Sequence, residues 1–164
     1  MKERRTDTHV YFVGGPLSQW YASPFKAKIL DAGFHSFNTC EQYMMAGKAL
    51  LFNDEEVFLA IMRSTNPKEQ KQLGRQVRGF NPDVWNENAR DIVYEGNVAK
   101  FTSTDFFKSY LLNTENRYLV EGAIYDPVWG VKLAWDDPLI EDSRNWQGTN
   151  WLGQVLMAVR KTIG

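Results

Sequence analysis

The sequence predicts an α+β fold, a single domain over residues 1–164 that is predominantly helical with a small, mainly antiparallel sheet. Three observations predict it. Apolar residues recur at helical spacing through most of residues 39–113. Runs rich in β-branched and aromatic residues stand on either side, near residues 9–37 and 117–135. A final amphipathic run closes the chain, so the order is strands, several helices, strands, helix. A length of 164 residues suits one domain, and 43% hydrophobic residues with six Trp, seven Tyr and ten Phe mark an ordered chain.

Residues 1–8 are polar and are expected to form a flexible tail. HVYFVGG then reads as a short strand ending in a Gly-Gly-Pro turn, and LSQWYASPF as an aromatic loop. KAKILDAGFHSF supplies a strand pair around the turn Asp31-Ala32-Gly33. A first helix is expected over residues 39–52, because Asn38 and Thr39 are N-cap types followed three positions later by Glu41 and Gln42. Asp54 opens a second helix, EEVFLAIMRST, which stops before Asn66-Pro67. Pro67 starts a third, PKEQKQLGRQVRGF, at the position where its missing N–H costs nothing. Pro82 starts a fourth, with Trp85, Ala89, Ile92 and Val93 on one face, and Asp105 begins a fifth. RYLVEGAIY and WGVKLAW read as two strands. A polar loop over 136–149 leads to Asn150, expected to cap a last helix with Leu152, Leu156, Val159 and Ile163 on one face.

The net charge of −1 provides no broad field for gripping a polyanion, so any phosphate must meet a local patch. VYFVGG lacks the length of a signal-peptide core or membrane span, and no membrane partner is expected. Cys40 is the lone cysteine, which fits a reducing, cytoplasmic compartment. His9 and His35 have no metal-ligand spacing to it or to each other, so no metal is expected. The loops GxxxxGK[ST] and GxGxxG and the elbow GxSxG are absent.

Within the first helix, Glu41 and Lys48 are seven residues apart and share one stripe, about 10 Å apart along the axis. Either Glu41 only serves the helix N-terminus while Lys48 snorkels to water, or both edge a cleft. Gly47 costs about 1 kcal/mol against alanine inside a helix, which favours close approach by a ligand or a neighbouring segment. Lys68, Lys71, Arg75 and Arg78 make a positive stripe opposite Leu73, Val77 and Phe80, either a solvated face or a phosphate dock. Gly74 beside Arg75 would leave an anion room. Glu121 interrupts an apolar run, and a buried carboxylate must be paired or become neutral. Asp126 precedes Trp129-Gly130, and Trp20, Tyr21 and Trp129 are either core lids or stacking surfaces for a flat heterocycle. Breaking a ribosyl C1–N bond needs a carboxylate beside C1, a positioned water and help for the departing base, and Glu41, Lys48, Glu121 and Asp126 offer those groups.

The runs LSQWYASPF, CEQYMMAGKALLFND, LGRQV, VWNENA, VAKF, LLNT, VEGAIYDPVWGV and WQGTNWLGQVLMAVR together resemble the NADAR, or YbiA-like, family from about Phe12 to Arg160. The family's EHYM…KA segment corresponds to Glu41, Tyr43, Met44, Lys48 and Ala49, with Gln42 where histidine is common. The resemblance implies an N-glycosidase without metal or organic cofactor. Its substrate would be a small N-ribosyl phosphate, such as the ribosylaminopyrimidine phosphates of riboflavin synthesis, or ADP-ribosylated guanine in nucleic acid. By matching positions Glu41, Lys48, Trp85, Glu121, Asp126, Trp129 and Asn150 would line the pocket, with Trp20 and Arg75 as further substrate-binding candidates. Glu41, Lys48 and Asp126 are the catalytic candidates. Two routes stay open: Glu41 activates water while Lys48 holds a hydroxyl or phosphate, or a neutral Lys48 attacks C1 to form a Schiff base. A module that binds ADP-ribose or NAD without cutting it is the reading from another class.

Overall fold

The computed structural model describes residues 2–164. In chain order the elements are β1 (Glu3–Arg5), β2 (His9–Phe12), β3 (Phe25–Lys28), β4 (Phe34–Phe37), α1 (Cys40–Leu51), α2 (Glu55–Arg63), α3 (Pro67–Gly74), α4 (Pro82–Ser103), α5 (Asp105–Leu112), β5 (Tyr118–Glu121) and α6 (Trp151–Ile163). Two short 3-10 turns, Pro138–Glu141 and Ser143–Asn145, precede α6. The fold is α+β and mainly helical, as expected. Its strands divide between two sheets, β1-β2-β5 and β3-β4, in which two of the three pairings are antiparallel and β2–β5 is parallel. Glu3–Arg5 pairs with Val10–Phe12, in place of the expected flexible tail.

The chain gathers into two compact units, one of residues up to Tyr21 with Asp105–Gly164, the other of Ala22–Thr104. In the second unit α1 is the hub, packed on α2, α3 and α4. Nine of its twelve residues are buried, which explains its nearly uniform greasiness. Thr39 is its N-cap, accepting from the Gln42 N–H at 3.0 Å. Gln42 Oε1 reaches back to the Asn38 N–H at 2.8 Å, a capping box displaced by one residue. Its Nε2 donates to the carbonyls of Ile61 and Ser64 at 3.0 and 3.1 Å, so this side chain closes the end of α2 from inside the core. The β3–β4 hairpin turns at residues 29–33, with the Ile29 N–H donating to the Gly33 carbonyl, and Phe25, Phe37 and Tyr43 cluster beneath it.

Gly47 is explained by α4. A Cβ there would lie 2.7 Å from Ile92 Cγ2, so the missing side chain admits a neighbouring helix and not a ligand. Gly74 is similar: its Cβ would run into Met45 Sδ, and the space expected for an anion is filled by α1.

Two expected elements differ. The third helix ends at Gly74 instead of running to Phe80: the Gln76 N–H already turns to the Leu73 carbonyl three residues back, and beyond it the Arg78 N–H donates to the Asp54 carboxylate. Arg75 therefore caps α3, Arg78 lies beyond it, and the four-residue basic stripe does not form on one helix. WGVKLAW is not a strand. Val131, Leu133 and Trp135 alternate inward onto a core of Tyr11, Val120 and Ile140, which mimics a strand pattern. Their backbone, however, bonds irregularly to Glu121, Ala123 and Gln147, and Lys132 sits at φ 59°.

Candidate active site

The second unit brings four of the expected residues together. Glu41 lies in the first turn of α1, 3% exposed, where the positive end of the helix favours a carboxylate. Lys48 lies two turns on and is partly buried. Its Nζ stands 4.5 Å from the centre of the Phe80 ring and 5.8 Å from that of Trp85, two aromatic rings whose quadrupoles attract an ammonium. Burial lowers the proton affinity of Lys48, the nearby positive charge of Arg75 lowers it further, and the charge of Glu41 opposes both. Arg75 is exposed at the end of α3. Thus one helix and two flanking segments assemble a buried carboxylate, an amine of reduced basicity, a guanidinium and two flat rings.

Phe80 is the residue of this group that sequence reasoning misses. A signal for it is present: Asn81 caps α4 through its Oδ1, accepting from the Asp83 and Val84 N–H groups. That cap places Phe80 just before it and Trp85 four positions into the helix, the spacing of a hydrophobic staple. A separate concavity of about 300 Å³ in this unit is lined by residues including Lys28, Tyr43, Asp91 and Glu95, and involves neither Glu41 nor Lys48.

In the first unit, β5, the loop after it and the start of α6 hold Glu121, Asp126, Trp129 and Asn150. Asn150 does not cap α6 with its side chain; at φ 53° it turns that side chain to β5 instead. Its Oδ1 accepts from the Glu121 N–H at 3.0 Å and its Nδ2 donates to the Leu119 carbonyl at 2.9 Å, so a 1% exposed amide fixes the backbone of Glu121. Asp126 Oδ1 accepts from the Val128 and Trp129 N–H groups at 2.9 and 2.8 Å, a local turn that sets Trp129 edge-on to Trp151 at 5.6 Å. Trp20 lies apart from these in sequence, 44% exposed, with its N–H donating to Ser18 Oγ at 3.2 Å.

Among the described residues no group of three or more His, Cys, Asp or Glu could hold a metal ion, and no helix is long and apolar enough to cross a membrane.

Known proteins share this arrangement of sequence and fold. The solved NMR structure of the E. coli protein YbiA is similar over 99% of this chain and 88% of that one, with a TM-score of 0.74 and 26% identity. N-glycosidase R617 of Acanthamoeba polyphaga mimivirus is 38% identical over 164 residues, which span 95% of this chain and 96% of that protein. Protein irg-1 of Caenorhabditis elegans is 33% identical over 176 residues, spanning 99% of this chain and 83% of that protein. The NADAR domain model matches residues 10–164, a span that includes the capped helix carrying Glu41 and Lys48 and the loop braced by Asn150: the chain belongs to the NADAR family.

Proposed function

We propose that this chain is an N-glycosidase that hydrolyses the bond between C1 of a phosphorylated ribose and a nitrogen. The substrate is a ribosylaminopyrimidine phosphate of riboflavin synthesis or ADP-ribose carried on guanine of nucleic acid. One observation carries the proposal: Lys48 Nζ stands 4.5 Å from the centre of the Phe80 ring and 5.8 Å from that of Trp85, under the opposed charges of Arg75 and Glu41. Cleaving the C1–N bond builds positive charge on the sugar, which a carboxylate in a site shielded from water offsets strongly. Glu41 is that carboxylate and the base for the attacking water. Arg75 and Lys48 meet the phosphate and a ribose hydroxyl, and the two rings offer flat faces to a base. A relative that is 38% identical over nearly its whole length bears the name N-glycosidase, which supports the reaction type.

A second route is favoured by the reduced basicity of Lys48. A ribosylamine opens to a C1 imine; the Lys48 lone pair adds to C1, the departing nitrogen takes a proton and leaves, and a Lys48 imine remains. Water then adds to C1 and releases the sugar as its aldehyde, restoring the amine. In the first unit, Trp129 and Trp20 serve substrate binding, with Asp126 acting through the turn it builds and Asn150 through the backbone of Glu121. A cytoplasmic location belongs to the same proposal and fits the single buried thiol of Cys40.

The test is to incubate the protein separately with a ribosylaminopyrimidine phosphate and with ADP-ribosylated DNA and to identify the products by mass spectrometry. Release of ribose 5-phosphate or ADP-ribose is expected. Borohydride during turnover traps a sugar adduct on Lys48 if the imine route operates, and yields none if water attacks directly. No release from either substrate, with calorimetric binding of ADP-ribose, would replace the enzyme with a binding module.

A further inference from the structure

The segment that carries Phe80 is tied down in two places at the end of α1. Asp54, the N-cap of α2, is buried and needs only one oxygen to cap: its Oδ1 accepts from the Val57 N–H at 3.2 Å. The same oxygen also accepts from Arg78 Nη2 at 2.7 Å, and Oδ2 accepts from the Arg78 backbone N–H at 2.9 Å and Nε at 3.1 Å. Charge-assisted bonds of this forked kind are among the strongest a side chain makes. Asp54 is itself anchored beside the site, because its N–H donates at 2.8 Å to the carbonyl of Ala49, the residue after Lys48. Phe52, just past α1, meets the Phe80 ring edge-on at 5.4 Å. Both ties reach residues 78–80, and Phe80 is the ring 4.5 Å from Lys48 Nζ.

We propose that the Asp54–Arg78 pair is a positioning device for Lys48, holding residues 78–80 against the end of α1 so that Phe80 covers the amine, while Arg75 is held beside it by α3. The inference rests on reading Lys48 as the reactive amine of the site. Releasing the side-chain pair admits water to Lys48, which restores basicity to the amine, while Arg75 keeps its place at the end of α3. Glu41, on the rigid α1, keeps its influence in either case. Moving the Phe80 ring away from the ammonium acts in the opposite sense, but hydration of the ammonium makes up for that attraction.

The experiment is acylation of the full-length protein across a pH series, with Lys48 modification followed by peptide mass spectrometry. Three folded proteins are compared: wild type, Arg78→Ala, which removes the two side-chain bonds to Asp54 and leaves its cap on Val57 and the main-chain bond from residue 78 in place, and Phe80→Leu, which removes the cover directly. In both variants the pH of half-maximal labelling should rise by about half a unit or more, a roughly threefold loss of neutral amine at a given pH. An Arg78→Ala protein that keeps its fold and the wild-type midpoint overturns the proposal, whatever Phe80→Leu does. The readout requires no substrate. If the midpoint moves while neither substrate is cut, the positioning pair stands and the glycosidase reading falls; if substrate is cut but the midpoint is unmoved, the reverse holds.

Discussion

Replacing Gly47 with alanine separates two opposing effects. Alanine in a helix interior is favoured over glycine by about 1 kcal/mol, so an exposed site would gain stability. At this site the new Cβ would lie 2.7 Å from Ile92 Cγ2. Ile92 is 5% exposed and β-branched, so it has little freedom to turn away. Overpacking of this kind costs about 1–3 kcal/mol. The clash wins, with a net loss of about 1 kcal/mol and a fall in Tm of about 2–4 °C for a chain of this size. Ile92→Ala alone costs about 2–5 kcal/mol, but in that background Gly47→Ala meets no methyl group and recovers its helix gain. A double-mutant cycle by urea unfolding should therefore give a coupling of about 2 kcal/mol. Gly47→Ala stabilising the protein by about 1 kcal/mol, or zero coupling to Ile92, would refute the claim that the glycine exists for the α1–α4 contact.

Two further outcomes follow from buried polar groups. Asn150→Ala strands the Glu121 N–H and the Leu119 carbonyl, each costing about 1–3 kcal/mol, so thermal unfolding should move down by several degrees; an unchanged Tm would show that the brace is dispensable. Burial brings Lys100 from its ordinary 10.5 to about 8, so between those values the unfolded chain holds a proton that the folded chain lacks and stability rises with pH. The buried Cys40 thiol, raised from 9.0 to about 11, acts in the opposite sense above 9.0, which leaves the net rise between about pH 8 and 9. Lys100→Met should flatten that rise in a Tm series; the same slope in the variant would contradict the assignment.

Much of the fold is legible in the sequence because local chemistry decides it. Thr39, Asp54, Asn66 and Asn81 each accept the N–H bonds that start their helices, and Pro67 and Pro82 mark first turns. What is not legible depends on partners distant in sequence. The path of the chain after α3 is held by a carboxylate 24 residues before Arg78. The inward alternation of Val131, Leu133 and Trp135 is the period of a strand, yet their backbone finds irregular partners, which no periodicity reveals. Gly47 signals close approach by a ligand or a neighbouring segment and Gly74 looks like room for an anion, and in both cases the room belongs to a neighbouring side chain. In the candidate site, the stripe of Glu41 and Lys48 follows from helix geometry, and the family resemblance adds Trp85. Phe80 stays hidden because helical periodicity puts it on the face of a helix that stops six residues before it.

The most direct measurement of the central claim is turnover by Glu41→Gln, which keeps the size of the side chain and removes its charge. With the substrate that wild type cleaves, sugar release followed by mass spectrometry should slow by about 100-fold or more while the folded state is retained. Near-wild-type turnover by a folded Glu41→Gln protein would contradict the placement of the chemistry on α1.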